Sequence, residues 1–180
     1  MRFALLLAAA VPALAVSARP ARAQATDAAL EKLSPDRRAE LERVLTEARK
    51  ANLPTEPIAE RIAASRSKGM PEAEIVAAAI EVKGRLATSA RALGDAGRSR
   101  LDPHEITLGA LILERGATYP QLESVIRTAP ASRSLVVPFE VLIKLTERGR
   151  SVGSALAQVS GKLVARASDG EITALLSKAS

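Results

Sequence analysis

Cysteine is absent from this chain of 180 residues, and histidine occurs only once. Without cysteine the protein has no disulfide, no thiolate metal ligand and no cysteine nucleophile. Aromatic residues make up only 2% of the chain, and tryptophan is missing. This scarcity argues against binding of single-stranded nucleic acid, which uses aromatic side chains to stack on bases, and against aromatic platforms for carbohydrate. The core must therefore be built from leucine, isoleucine, valine and alanine, as in closely packed helices.

The overall composition suits one globular domain with a nearly balanced charge. Hydrophobic residues account for 47% of the chain, charged residues for 26%, and the formal net charge is +6. Arg2, Arg19 and Arg22 supply half of this excess, and the first 23 residues contain no acid. The remainder holds 23 basic and 20 acidic residues. Such a mild bias gives little support for a nucleic-acid or membrane partner, and we predict that nucleic acid is not a partner.

The N-terminal segment has the pattern of an export signal. An apolar stretch over 3–16 follows a positive residue, and its length fits a signal peptide better than a membrane span of about 20 residues. A small-x-small sequence then ends at Ala23, where we expect cleavage, with Ala25 as the second choice. The sequence predicts a signal peptide over 1–23, a flexible mature N-terminus over 24–33 and a periplasmic or secreted location. An uncleaved membrane anchor is the alternative.

Residues 34–180 have the apolar periodicity of consecutive helices in a single domain. The spacing is clearest in the first helix, at Leu41, Val44, Leu45 and Ala48. Eight helices are predicted, beginning close to Ser34, Thr55, Met70, Asp102, Thr118, Ser134, Val152 and Ser168. The segments Asp102–Glu105 and Ser168–Glu171 have the sequence of a capping box. No segment alternates as a strand does, so the predicted fold is all-α, with helices stacked as antiparallel pairs in an α-solenoid-like or irregular bundle.

Four of the predicted helices end in the same way. Asn52, Gly69, Gly116 and Gly149 each follow a predicted last turn, where a residue of this kind supplies the left-handed conformation that closes a helix. After the first three, the first buried residue of the next helix is expected six positions later. The intervals between these stops are uneven, so a strict repeat family such as TPR or HEAT is not predicted.

Residues with catalytic potential are scattered rather than grouped. His104 has no histidine or cysteine partner and is predicted to lie on the surface, in the first turn of a helix. Gly161-Lys162 lacks the first glycine and the hydroxyl residue of a phosphate-binding loop, and no Gly-x-Ser-x-Gly motif occurs. We predict no catalytic residue, no cofactor and no metal site. A hydrolase that uses serine and acidic side chains is the less favoured alternative.

One basic segment is a candidate binding site. Arg91, Arg98 and Arg100 surround a predicted loop in which Asp95 and Asp102 are the nearby acids. This excess of positive charge indicates a possible contact for an anion, such as a lipopolysaccharide phosphate or an acidic partner. An ordinary surface loop is the alternative interpretation.

Three segments together resemble a known group of proteins. They are "ARKANLPTEPI" at 48–58, "KGMPEAEIVAAA" at 68–79 and "RSLVVPFEVLIKLTERG" at 133–149. In these segments and over most of 34–180 the chain resembles uncharacterised secreted proteins from GC-rich bacteria. The resemblance implies an all-helical fold and export, and it implies no activity and no site residues.

The sequence favours a non-enzymatic exported protein that acts as a binding or scaffold module in the bacterial envelope. Its partner is expected to be another envelope protein, and no transmembrane segment is expected in the mature chain. The second hypothesis is an anionic envelope polymer that binds near residues 91–100.

Overall fold

The computed structural model describes residues 33–177, and this part of the chain contains eight α-helices and no strand. The helices are α1 Pro35–Lys50, α2 Glu56–Ser67, α3 Glu72–Asp95, α4 Pro103–Glu114, α5 Tyr119–Thr128, α6 Val136–Glu147, α7 Val152–Val164 and α8 Asp169–Thr173. The predicted all-α fold is therefore confirmed. None of the helices between residues 33 and 177 combines the length and apolarity needed to cross a bilayer.

The helices pack in two rows. In the odd-numbered row α1 packs against α3, α3 against α5, and α5 against α7, while in the even-numbered row α4 packs against α6, and α6 against α8. Contacts between successive helices, such as α2 with α3 and α6 with α7, join the rows. Each helix thus packs mainly against the next one or two along the chain, which is the arrangement of stacked helical pairs.

The core between the rows is aliphatic, as the composition predicts. Leu41, Ile62, Leu86 and Ile112 are fully buried in four different helices, and Phe139 is the one fully buried aromatic side chain of the described residues. Burying an aliphatic side chain of this size stabilises the fold by about 1.5–3 kcal/mol. A continuous set of such residues therefore accounts for the stability of a chain that has no disulfide.

Six helix ends share one hydrogen-bonded motif. Asn52, Gly69, Gly97, Gly116, Gly149 and Arg166 all have positive φ. At Gly116, for example, its N–H donates to the Leu113 carbonyl at 3.0 Å and the next N–H donates to the Ile112 carbonyl at 3.3 Å, which is a Schellman motif. The four predicted stops are confirmed. Gly97 and Arg166 were not among the predicted stops. Position 166 is an arginine, and only glycine or asparagine would have signalled a stop there.

The last helices of the chain are evenly spaced. α4, α6 and α8 begin at Pro103, Val136 and Asp169, at two equal intervals of 33 residues. The same interval separates Tyr119 from Val152, where α5 and α7 begin. The earlier part breaks this regularity because α3 has 24 residues whereas α5 has 10. The length of α3 is therefore one source of the unevenness predicted from the stops.

The start of α1 has no side-chain cap of its own. Ser34 makes no cap for α1; its N–H and Oγ donate to the Glu72 carboxylate at 3.1 and 2.6 Å. These two hydrogen bonds lower the pKa of Glu72 below its ordinary value and tie the start of α1 to the start of α3. The capping box at Ser168 and Glu171 is present as predicted.

The predicted capping box at Asp102 and Glu105 is only half right. Asp102 accepts a hydrogen bond from the His104 N–H at 2.7 Å, but the Glu105 carboxylate does not accept from the Asp102 N–H, as it would in a complete capping box. Its buried carboxylate instead accepts from the N–H of Leu135, the N-cap of α6, at 2.7 Å. The third residue of α6 is Pro138, which has no carboxylate for a capping box of its own. Glu105 therefore supplies to α6 the acceptor that α6 lacks.

α4 approaches α3 closely at Gly109. A Cβ added to Gly109 would lie 2.2 Å from Oγ and 3.2 Å from Cβ of Ser89. Ser89 is fully buried, and its Oγ has no hydrogen-bond partner among the described residues. Glycine at position 109 is thus required by packing and not by backbone conformation.

The predicted signal peptide over 1–23 and all but the last residue of the predicted flexible segment over 24–33 lie outside the described residues. Leu33 is buried at the edge of the core.

Candidate functional site

The first concave surface is a cleft in the even-numbered row, where α2 and α4 both pack on α3 but not closely on each other. It has a volume of about 270 Å³, with Val82 and Leu86 of α3 among its lining residues. Leu111 on α4 and Ala64 on α2 contribute to its two walls. Val82 and Leu86 are buried, whereas Leu111 is half-buried. The cleft therefore offers an apolar surface at a break in the helical stack.

Charged side chains cross the mouth of this α2–α4 cleft. Arg61 of α2 forms an ion pair with Glu114 of α4, and Nη2 of Arg85 lies 3.5 Å from the same carboxylate. Arg85 also pairs with Glu81 one turn earlier in α3. Exposed pairs of this kind contribute only about 0.2–1 kcal/mol each. A ligand that provides charges of both signs can therefore replace them at little cost.

The second concave surface is a cavity of about 540 Å³ between the α3–α4 loop and the α5–α6 loop. Arg98, Arg100, Glu105 and Ser132 are among its lining residues. Arg98 is only 8% exposed, so its guanidinium lies within the wall. Nη1 of Arg98 donates to the carbonyls of Ala131 and Arg133, at 3.2 and 2.5 Å, whereas its buried Nη2 has no hydrogen-bond partner among residues 33–177. This cavity therefore has a buried donor without an acceptor.

The structure brings together two of the three arginines predicted to contact an anion. Arg98 and Arg100 line the same cavity, but Arg91 lies over the ring of Tyr119, with Cζ 4.6 Å from the ring centroid. Arg91 is thus held by a cation–π contact with α5. Arg133 was not predicted, yet it lines the cavity while its own guanidinium donates to the Ala167 carbonyl and to Asp169. The role of these residues in anion binding stays a prediction.

The hydrogen bond between Tyr119 and Asp95 can be tested by titration, because Tyr119 is the only tyrosine of the chain. The Tyr119 hydroxyl donates to Asp95, and this hydrogen bond is the main cause that raises the pKa of Tyr119. A raised folded-state pKa favours the neutral phenol, so its contribution to stability is present at neutral pH and is lost as the pH rises through the folded-state pKa. We expect tyrosinate absorbance to appear at higher pH in the folded protein than in denaturant, and Asp95→Asn to reduce the difference. Coincident titration curves for the folded and denatured protein would contradict this contact.

Two further polar residues lie at helix starts. His104 is exposed, as predicted, with Nε2 3.9 Å from Oε1 of Glu140. Ser134 Oγ donates to Glu105 at 3.2 Å and accepts from the Val136 N–H at the same distance, which is a capping role at the start of α6. No group of three potential metal ligands occurs within residues 33–177. A hydrolase that uses serine and acidic side chains stays a prediction, and the hydrogen bonds of Ser134 do not single it out as a nucleophile.

Comparison with known proteins gives no match to a protein family, to a curated protein or to a solved structure. The resemblance to secreted proteins from GC-rich bacteria therefore stays an expectation.

Proposed function

We propose that this protein is an exported, non-enzymatic binding module of the bacterial envelope, which holds a segment of a partner protein in the α2–α4 cleft. The observation that carries the proposal is the break between α2 and α4 in an otherwise stacked row, which leaves part of α3 uncovered. Stacked helical proteins bind their partners on surfaces of this kind. Export rests on the pattern of the first 23 residues.

The chemistry of the cleft defines the partner segment. Its volume of about 270 Å³ suits a few side chains rather than a whole helix, and its lining by Val82, Leu86 and Leu111 favours aliphatic ones. Arg61 and Glu114 at the mouth require a charged residue of each sign beside them. The expected ligand is therefore a protein segment with one or two aliphatic side chains flanked by an acidic and a basic residue.

Blocking the cleft is expected to abolish partner binding. Leu111→Glu places a charge in the apolar wall, and Ala64→Phe fills the space from the opposite side without removing a packed group. We expect a partner that co-purifies with the wild-type protein from envelope extracts to be lost with both variants, by at least about tenfold, the loss that corresponds to about 1.4 kcal/mol. Quantitative mass spectrometry of the bound fraction measures this loss.

The matched control is Val164→Glu, because Val164 is an aliphatic residue of α7 that is 68% exposed and remote from the cleft. Circular dichroism must show that all three variants keep their helical content. A partner that is retained by the cleft variants, or lost equally with Val164→Glu, would show that the α2–α4 cleft is not the binding site.

A further inference from the structure

The cavity between the α3–α4 and α5–α6 loops contains positive charge that the described residues do not neutralise. No carboxylate of residues 33–177 forms an ion pair with Arg98 or Arg100, although Asp102 and Glu105 also line the cavity. A guanidinium that is buried without a complete set of acceptors is costly. The cost at Arg98 falls if an anion occupies the cavity.

The two acids of the cavity are already engaged by helix starts. Asp102 accepts from the His104 N–H in the first turn of α4, and Glu105 accepts from the Leu135 N–H at the start of α6. The positive end of a helix dipole partly compensates a carboxylate in this position. The two acids are therefore held by helix starts and not by Arg98 or Arg100, and an anion in the cavity would be attracted by both guanidiniums.

We propose that this cavity binds a phosphate group between Arg98 and Arg100. Nη1 of Arg98 is occupied by two backbone carbonyls and its Nη2 is buried, so Arg98 attracts the anion from within the wall. The exposed side chains of Arg100 and Ser132 provide the hydrogen-bond donors at the surface of the cavity. A bidentate carboxylate requires two parallel donors from one guanidinium. Donors on separate residues suit the non-coplanar oxygens of a phosphate better. This inference is independent of the α2–α4 cleft.

Titration with inorganic phosphate tests the proposal directly. Amide chemical shifts of ¹⁵N-labelled protein are followed while sodium phosphate replaces sodium chloride at constant ionic strength, which separates specific binding from screening. We expect saturating shifts confined to residues 98–102 and 131–135. Arg100→Gln is expected to raise the apparent dissociation constant at least about fivefold, because it removes one charge-assisted hydrogen bond.

Arg150→Gln is the matched control. Arg150 occupies the position after Gly149 that Arg98 occupies after Gly97, but it is exposed and lies outside the cavity. Its substitution is expected to leave the dissociation constant unchanged. Arg98→Lys is expected to weaken binding while the charge is kept, since lysine cannot donate to both loop carbonyls in the same geometry and so does not hold its charge in the same place. Because Arg100 is exposed, Arg100→Gln keeps the test valid even if Arg98→Lys loosens the loops.

Two further probes identify the source of the phosphate group. Glycerol phosphate represents a soluble monoester, and vesicles of phosphatidylglycerol represent a lipid surface. Arg100-dependent binding of the monoester alone indicates a soluble ligand, whereas Arg100-dependent binding to the vesicles indicates a surface. Shifts that do not saturate, shifts spread over the whole protein, or equal affinities for the wild type and Arg100→Gln would overturn the proposal.

Discussion

Replacing Glu105 with alanine is expected to lower the free energy of unfolding by about 2–3 kcal/mol. Glu105 is only 5% exposed, and its Oε1 accepts from the Leu135 N–H at 2.7 Å and from the Ser134 hydroxyl at 3.2 Å. Alanine would leave the N–H of Leu135 buried without an acceptor at the junction of α4 and α6. Urea denaturation monitored by circular dichroism measures the change.

Glu171→Ala provides the comparison for this prediction. Glu105 and Glu171 are both the third residue of their helices, but Glu171 is exposed and caps its own helix. Its loss is expected to cost about 1 kcal/mol, as for an ordinary cap. Glu105→Gln should retain most of the stability because its amide oxygen still accepts. Equal losses from Glu105→Ala and Glu171→Ala would mean that Glu105 does not join the two helices.

Gly109→Ala is expected to destabilise the protein by about 2 kcal/mol, although alanine favours a helix by about 1 kcal/mol over glycine. The added Cβ would overlap the Oγ of Ser89 at 2.2 Å, and even after rotation of that hydroxyl the Ser89 Cβ lies 3.2 Å away. Either α4 must move away from α3 or the side chain of Ser89 must leave its position. Overpacking of this kind usually costs about 1–3 kcal/mol. Thermal and urea unfolding measure the loss.

Two other substitutions test this explanation. Gly84 lies in the exposed face of α3, and a Cβ added there would meet no other atom within 4 Å, so Gly84→Ala is expected to stabilise the protein by about 1 kcal/mol. Ser89→Gly removes the two atoms that would lie closest to the new methyl group, and we expect the cost of Gly109→Ala to fall by at least about 1 kcal/mol in that background. A cost that is the same in both backgrounds would rule out a clash with Ser89.

The helices were predictable because their signals are local. The aliphatic periodicity of α1, the glycines after α2, α4 and α6, and the capping box at Ser168 each depend on residues a few positions apart. Arg166 could not be predicted as a helix stop, since arginine is not a residue type that indicates a positive φ. Glu105 was misassigned for the opposite reason: its local sequence fits a capping box, but its partner is Leu135, in another helix. Leu135 at the N-cap and Pro138 at the third position are the sequence signals that could have shown the need of α6 for an external acceptor.

The candidate site was predictable only in part, because it combines segments distant in sequence. The charge excess indicated Arg98 and Arg100, whereas the segment around Ser132 gave no sign that it forms the opposite wall. Arg91 was grouped with them by position in the chain, yet α3 directs it towards Tyr119. The α2–α4 cleft was not predicted, since it results from how two helices are placed on α3, and no sequence periodicity reports that separation.

Arg98 and Arg133 together connect three loops in series. Arg98 donates to the backbone oxygen of Arg133, and the guanidinium of Arg133 donates in turn to the Ala167 carbonyl. Neither the guanidinium nor the amide carbonyl gains or loses a proton over the range in which proteins stay folded. Acid would protonate carboxylate caps such as Glu171 while these arginine–carbonyl links persist, so at low pH the three connected loops should be the last part of the stack to separate.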